Sequence, residues 1–218
     1  LTYTWQPGNL NGASVNVTPN ATTTYTVTIS DGCATPVATA TVSVTVQPPV
    51  AVVFAASTPT SGCADLCVNF VNSTPNSQSV VWDFGNGVTS TTNNPTYCFT
   101  QAGSYNITLA VVDVNGCAAT TTLTNYITVN PDPVANFTGT PMVTTALSPN
   151  IDFTDLSQGA NQWVWSFGDS ADGSSTLQNP SYTYNEIGVY IVQLYVTNVF
   201  GCVDSIQYPI EVKEDYAI

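Results

Sequence analysis

The chain says the same thing twice, and that repetition decides what it can fold into. Set VWDFGNGVTSTTNNPTYCFTQAGSYNITLAVVDVNGC beside VWSFGDSADGSSTLQNPSYTYNEIGVYIVQLYVTNVFGC. Trp82 matches Trp165 at an offset of 83 residues, as Phe54 matches Phe137 and Phe70 matches Phe153. Beyond the turn, Pro95 matches Pro180, Gly103 matches Gly188, Tyr105 matches Tyr190 and Cys117 matches Cys202, all at 85. The second copy therefore carries two additional residues near DSADG, and the copies occupy about 49–130 and 131–213. A period of this size is that of a small folded domain set in a row with its like.

Each copy reads as all-β. In SYNITLAV, Tyr105, Ile107, Leu109 and Val111 alternate with Ser104, Asn106, Thr108 and Ala110. That period of two is a half-buried strand. Thr, Val, Ile and Tyr fill the runs while Asn, Gly, Pro and Ser punctuate them. Several short strands in such a length, with a tryptophan on a central one, predict an immunoglobulin-like β-sandwich. Residues 1–48 read as the C-terminal part of a related domain. YTW supplies the central strand with Trp5, TYTVTIS the next with Tyr25, Val27 and Ile29 inward, and ATATVSVTV the last. The strands that should precede Trp5 are missing, so this domain is expected to be incomplete. With Leu1 in place of a Met, the chain is expected to be a piece of something larger.

Composition removes most chemistry. The chain is 43% hydrophobic and 7% charged, which argues against disorder. Its net charge of -13, with Lys213 the one basic residue, repels nucleic acid and anionic lipid. No apolar run approaches the ~18 residues that span a bilayer, so no membrane insertion is expected. Asp83-Phe84-Gly85 spells the magnesium-holding tripeptide of protein kinases, but phosphoryl transfer needs a cation against the phosphates, and no lysine or glycine-rich loop precedes it. Without histidine there is no Ser-His or Cys-His pair and no His-ligated zinc. A paired-carboxylate glycosidase needs only two acids, yet most of the 14 acidic residues lie in apparent turns or near the C-terminus. The chain is read as no enzyme, and Asp83, Gly85 and Gly87 as a corner.

Trp82, the turn from Asp83 to Gly87, Asn94-Pro95, Gly103-x-Tyr105 and Gly116-Cys117 together resemble the PKD (polycystic kidney disease) domain family. So do Trp165, Phe167, Gly168, Asp169, Asn179-Pro180, Gly188-x-Tyr190 and Gly201-Cys202. The resemblance implies tandem seven-strand sandwiches found as extracellular repeats. Ser166 stands where the family usually has Asp, which argues against an indispensable metal role there. Residues 1–48 are similar to the Ig-like repeats that accompany PKD domains in giant secreted proteins of the Bacteroidota. There a type IX secretion sorting domain often follows, so 214–218 reads as a linker to a downstream domain.

Six cysteines without histidine and without a CxxC pair favour disulfides over metal. The expected pairs are Cys63–Cys117 and Cys67–Cys98. Cys67 and Cys98 are replaced together in the third repeat, by Asn150 and Thr183. Closing such loops stabilises by about 3 to 4 kcal/mol each in the chain-entropy model. Cys33 is expected to pair upstream of Leu1. Cys202 is expected to be a buried free thiol, because Ala146 occupies the position of Cys63. Disulfides place the chain in an oxidising, extracytoplasmic compartment, and the resemblance implies a bacterial cell surface.

Three surface features bear on function. Asn106, Thr108 and Ala110 become Ile191, Gln193 and Tyr195, so Val164, Ile191 and Tyr195 are expected to form an apolar patch for a neighbouring domain, another copy or a glycan. Ser170 and Ser205 follow Asp and precede an apolar residue, the O-glycan pattern of the Bacteroidota. Asp169 and Asp172 can offer oxygens to calcium, but calcium takes about six to eight, so no cofactor is expected. The preferred function is a stalk or fibre for adhesion in a secreted surface protein; the alternative is accessory substrate- or glycan-binding domains of an exported hydrolase. One expectation is directly testable: isolated residues 1–48 bury too little apolar surface to unfold cooperatively. A cooperative thermal transition by circular dichroism would refute it.

Overall fold

In the computed structural model, residues 1–33, 38–171 and 173–215 are described, and every regular element among them is a β-strand. No helix among them is long and apolar enough to cross a membrane. They form two compact units. The first comprises the described parts of Leu1–Val53 with Thr74–Val80 and Ala110–Thr121, and the second holds the other described residues.

The N-terminal segment builds one sheet from β1 (Thr2–Gln6), β2 (Leu10–Asn11), β3 (Thr23–Ser30) and β4 (Ala38–Val44), in the order β2-β1-β3-β4. Pairing is antiparallel, with Trp5 opposite Val27 and Val27 opposite Ala40. Alternation puts Tyr25 and Val27 on the buried face, while Trp5 and Ile29 are only half-buried. The reason is that, among the described residues, no second sheet covers that face. An apolar groove of about 240 Å³ lined by Trp5, Val15, Val17, Tyr25, Val42 and Val44 opens there instead.

The middle repeat has β5 (Phe54–Ala56), β6 (Ser61–Cys63), β7 (Leu66–Asn72), β8 (Ser77–Asp83), β9 (Thr89–Ser90), β10 (Thr96–Phe99), β11 (Gly103–Asp113) and β12 (Ala118–Asn130). The third has β13 (Phe137–Thr140), β14 (Val143–Thr145), β15 (Asn150–Asp155), β16 (Gln162–Ser166), β17 (Ser174–Ser175), β18 (Ser181–Thr183), β19 (Gly188–Thr197) and β20 (Val203–Lys213). Each is a sandwich of a three-stranded and a five-stranded sheet, ordered β10-β7-β5 with β6-β12-β11-β8-β9, and β13-β15-β18 with β14-β20-β19-β16-β17. The two orders coincide element for element. The N-terminal sheet reproduces β9-β8-β11-β12 without the edge strand or the opposing layer.

Between the layers lies an aromatic core. Trp82 and Trp165 are both fully buried. Phe54 meets Trp82 edge-on at 5.1 Å and Phe70 meets it at 5.4 Å; Phe137 and Phe153 repeat the arrangement on Trp165 at 5.1 and 5.5 Å. Each indole N–H donates to a backbone carbonyl, of Asn93 and of Leu177, so burial leaves no donor unpaired. The chain leaves each tryptophan strand through a tight corner. At Gly85 (φ +78°) a Cβ would lie 3.0 Å from the Asn106 nitrogen and inside the van der Waals radius of its carbonyl oxygen. Gly168 (φ +74°) meets Ile191 in the same way. Asp83 Oδ1 accepts the Gly85 N–H at 2.8 Å, which closes the corner. The tripeptide at 83–85 is architecture.

Gly85→Ala should therefore cost about 3 kcal/mol or more, through backbone displacement as well as φ strain. Gly87→Ala, where φ is +87° and nothing lies within 4 Å, should cost only about 1 kcal/mol. Urea denaturation midpoints compare them, and equal losses would refute the close-approach argument.

Candidate functional site

Strand β6 pairs parallel with the end of β12, which sets Cys63 opposite Asn130, the last residue of the repeat's last strand. At the next residue the chain enters the third repeat, where Asn198 Nδ2 donates to the Pro131 carbonyl at 2.7 Å and Asp204 Oδ2 accepts the Ala135 N–H at 2.8 Å. Asn198 also begins the β19–β20 turn. Its Oδ1 accepts the N–H of Phe200 at 2.9 Å and of Cys202 at 3.0 Å. Both cysteines thus arrive at the linker, one at the trailing end of the middle repeat and one at the leading end of the third. They are joined: Cys63 and Cys202 form a disulfide, with Cα atoms 5.5 Å apart and a sequence separation of 139. Asp132 stands beside them, with a carboxylate oxygen and the two sulfurs all within 4.8 Å. A metal would need those sulfurs as thiolates, and the bond consumes them.

This corrects the pairing expected for Cys63. Cys117 opens β12, whereas Cys63 faces its final residue, and a strand of 13 residues spans about 40 Å. A disulfide needs Cα atoms within about 7 Å. Cys117 is a half-buried free thiol, Cys33 is an exposed one, and Cys202, expected free, is bonded and buried. Cys67 is bonded to Cys98, its directly opposite partner on β10. The counterpart of Cys63 also shifts by one. Thr145, not Ala146, faces Lys213 as Cys63 faces Asn130. Sequence reasoning missed Asn198, Asp132 and the role of Cys202. The signal was present in the ends of the strands, because a Gly-Cys turn and an edge strand lie at opposite ends of any such sandwich.

The turn after β16 solves the corner differently from its copy. With Ser166 in place of Asp83, Asp169 closes it: Oδ1 accepts the Gly173 N–H at 2.9 Å and Oδ2 accepts the Tyr182 hydroxyl proton. The Tyr182 bond first, and the Gly173 bond with it, hold the Asp169 carboxyl below the usual carboxylate range. The carboxylate in turn pushes the Tyr182 phenol up to about 12. Burial pushes Tyr184 higher still. With both oxygens of Asp169 so engaged, little is left for calcium; Asp172, the other residue considered, lies outside the described residues.

Ser170 is exposed in this turn. Ser205 is the third residue of β20, just past the β19–β20 turn, exposed and directly opposite Tyr195. Val164 and Tyr195 are cross-strand partners, 51% and 46% exposed. Ile191, 49% exposed, is four residues along β19, past Gln193 and opposite Pro209. The structure brings Val164 and Tyr195 together and sets Ile191 apart.

The comparisons agree with this architecture. The profile of the PKD domain family matches residues 46–129 and 130–213. Pre-pro-metalloprotease PrtV of Vibrio cholerae is 58% identical over 38 residues, 17% of this chain and 4% of that protein. Microbial collagenase of Vibrio alginolyticus is 42% identical over 82 residues, 36% of this chain and 10% of that protein. The chain thus spans a small part of the length of these relatives. Among solved structures, the PKD1 domain of Vibrio anguillarum Epp is 24% identical, over 39% of this chain and 99% of that one, with a TM-score of 0.34. The PKD1 domain of Vibrio cholerae PrtV is 28% identical, over 38% of this chain and 98% of that one, with a TM-score of 0.32.

The Asp169–Tyr182 bond has a pH signature at each end. A depressed carboxyl contributes stability above its unfolded pKa, about 3.9, and loses it as pH falls through the folded value. A raised phenol contributes below about 10 and loses it as pH climbs toward 12. Asp169→Asn should move the Tyr182 phenol down toward 10 in an ultraviolet titration and lessen the acid loss of stability. An unchanged phenolic titration in Asp169→Asn would contradict the pairing.

Proposed function

Because the chain belongs to the PKD domain family over 46–129 and 130–213, we propose that it serves as a non-catalytic, inextensible spacer in an extracellular protein. The observation that carries this is the Cys63–Cys202 bond, which ties the trailing edge strand of one sandwich to the leading turn of the next. It adds no reactive group and limits how far the junction can stretch. Disulfides themselves support an oxidising, extracytoplasmic setting. In the fuller form of this reading, the sandwiches are part of a stalk or fibre for adhesion on a bacterial surface, exported by the type IX route as in the Bacteroidota. Their partners would be neighbouring domains, further copies or surface glycans, with Ser170 and Ser205 as O-glycan acceptors.

A second reading makes the same spacer an accessory of an exported hydrolase. It is favoured by the relatives, one named a metalloprotease and one a collagenase. The two readings share their mechanics and differ in what is carried.

Single-molecule pulling tests the spacer. With the disulfide closed, force passes from Cys63 to Cys202 through the sulfurs, and the residues between them are never loaded. Breaking it with reductant, which also opens Cys67–Cys98, should release an additional length of roughly 470 Å at about 3.4 Å per residue over the separation of 139. Cys63→Ser with Cys202→Ser leaves Cys67–Cys98 closed over its separation of 31 and should release roughly 370 Å. Equal contour lengths before and after reduction would remove the mechanical argument, and turnover of peptide or glycan by the purified chain would end the non-catalytic reading.

A further inference from the structure

We propose that Asp132 guards the Cys63–Cys202 bond against attacking thiols, by holding a negative charge where thiol–disulfide exchange must gather one. Its carboxylate oxygen and the two sulfurs all lie within 4.8 Å of one another. Among the described residues no other acid forms such a group with a pair of cysteines, those of the Cys67–Cys98 bond included. Asp113 and Asp169 spend their carboxylates on turns. Asp132 is exposed, and its side chain enters no hydrogen bond among the described residues. Replacing it by asparagine therefore removes a charge and leaves the bonds of the junction in place.

Exchange begins when a thiolate attacks one sulfur of the disulfide. Cys202 is buried and Cys63 half-buried, so the attack falls on Cys63 Sγ. A bond forms from the incoming sulfur to Cys63, the Cys63–Cys202 bond breaks, and its electron pair leaves on Cys202 Sγ as a thiolate. A second thiolate then attacks the incoming sulfur and expels Cys63 as a thiolate. The reductant departs as its own disulfide, and both cysteines take up a proton. During the first step negative charge spreads over the incoming, central and leaving sulfurs, and two of those three are the sulfurs beside Asp132. A cation nearby would ease that step by stabilising the leaving thiolate. The one basic residue, Lys213, instead ends β20, the strand that starts beside Cys202, and is paired there with Glu211. A carboxylate with no cation against it repels the charge that the attack builds up.

This deepens the spacer reading, because a junction closed by a disulfide lasts only as long as the bond. It stands on a separate measurement: the spacer is tested by contour length, the guard by a rate.

The test uses the full chain, with the thiols of Cys33 and Cys117 first capped by iodoacetamide. It is treated with reduced glutathione, whose attacking form is an anion, or with cysteamine, whose thiolate is offset by its own ammonium. Newly opened cysteines are trapped with a second alkylating reagent and mapped by mass. Asp132→Asn should speed the opening of Cys63–Cys202 by glutathione about three- to tenfold at low salt, the effect of one unit charge about 5 Å away in a wet site. Cysteamine should gain less, and Asp132→Glu should stay near the unaltered chain. Salt of about 1 M, where the Debye length is about 3 Å, should erase most of the difference. Cys67–Cys98, exposed at both cysteines, is the internal reference, and its rate should not move. An unchanged glutathione rate in Asp132→Asn overturns the proposal. So does an equal gain for glutathione and cysteamine, or a gain shared by Cys67–Cys98, because either reports a loosened fold and not a removed charge.

Discussion

With one lysine and neither arginine nor histidine, this chain cannot hold its layers together by charge, so aromatic rings buried between two sheets have to do it. The one ion pair among the described residues, Lys213 with Glu211 at 3.4 Å, is exposed and worth little. Trp82 and Trp165 anchor the two complete sandwiches, each gripped by phenylalanines of the opposite layer and each with its N–H returned to a backbone carbonyl. A ring contributes only when both of its faces are covered. Trp5, on a sheet with one covered face at most, stays half-buried, and the groove beside it measures what the missing layer would fill.

The same shortage of cations explains where the carboxylates go. A carboxylate without a positive partner is best satisfied by backbone N–H groups, and those are unpaired chiefly in turns. Asp31, Asp83, Asp113, Asp155 and Asp169 each accept such a bond from two or four residues downstream. Asp204 does so across the start of the third repeat. Acids spent in this way are fixers of corners.

The sandwich was legible because its period is written into every strand. Tyr105, Ile107, Leu109 and Val111 needed no partner information to declare an inward face, and Gly85 beside Asp83 declared a corner. What the sequence hid was anything that depends on which end of a strand a residue occupies. Cys63 and Cys117 belong to one repeat and match in number, but β12 runs its whole length between them. The apolar patch was half right for a related reason. Alternation identified Ile191 and Tyr195 as outward, but only cross-strand register shows that Val164 faces Tyr195 and that Gln193 intervenes before Ile191.

A junction made from a trailing edge strand and a leading turn has a mechanical consequence that a bond within one repeat would not have. A bond inside a sandwich shields only the strands it encloses, and the linker at Asn130–Pro131 remains a point of extension. The Cys63–Cys202 bond runs parallel to that linker, so tension applied at the chain ends bypasses Pro131, both buried tryptophans and both sets of corners. The loaded segments are those up to Cys63 and those after Cys202, which include β6 and β20. Each is held along its length by a neighbouring strand, β6 by β12 and β20 by β19, so its ladder of hydrogen bonds must shear together instead of unzipping singly. The junction is thus closed by two cysteines placed at opposite ends of neighbouring sandwiches, where charge could not close it.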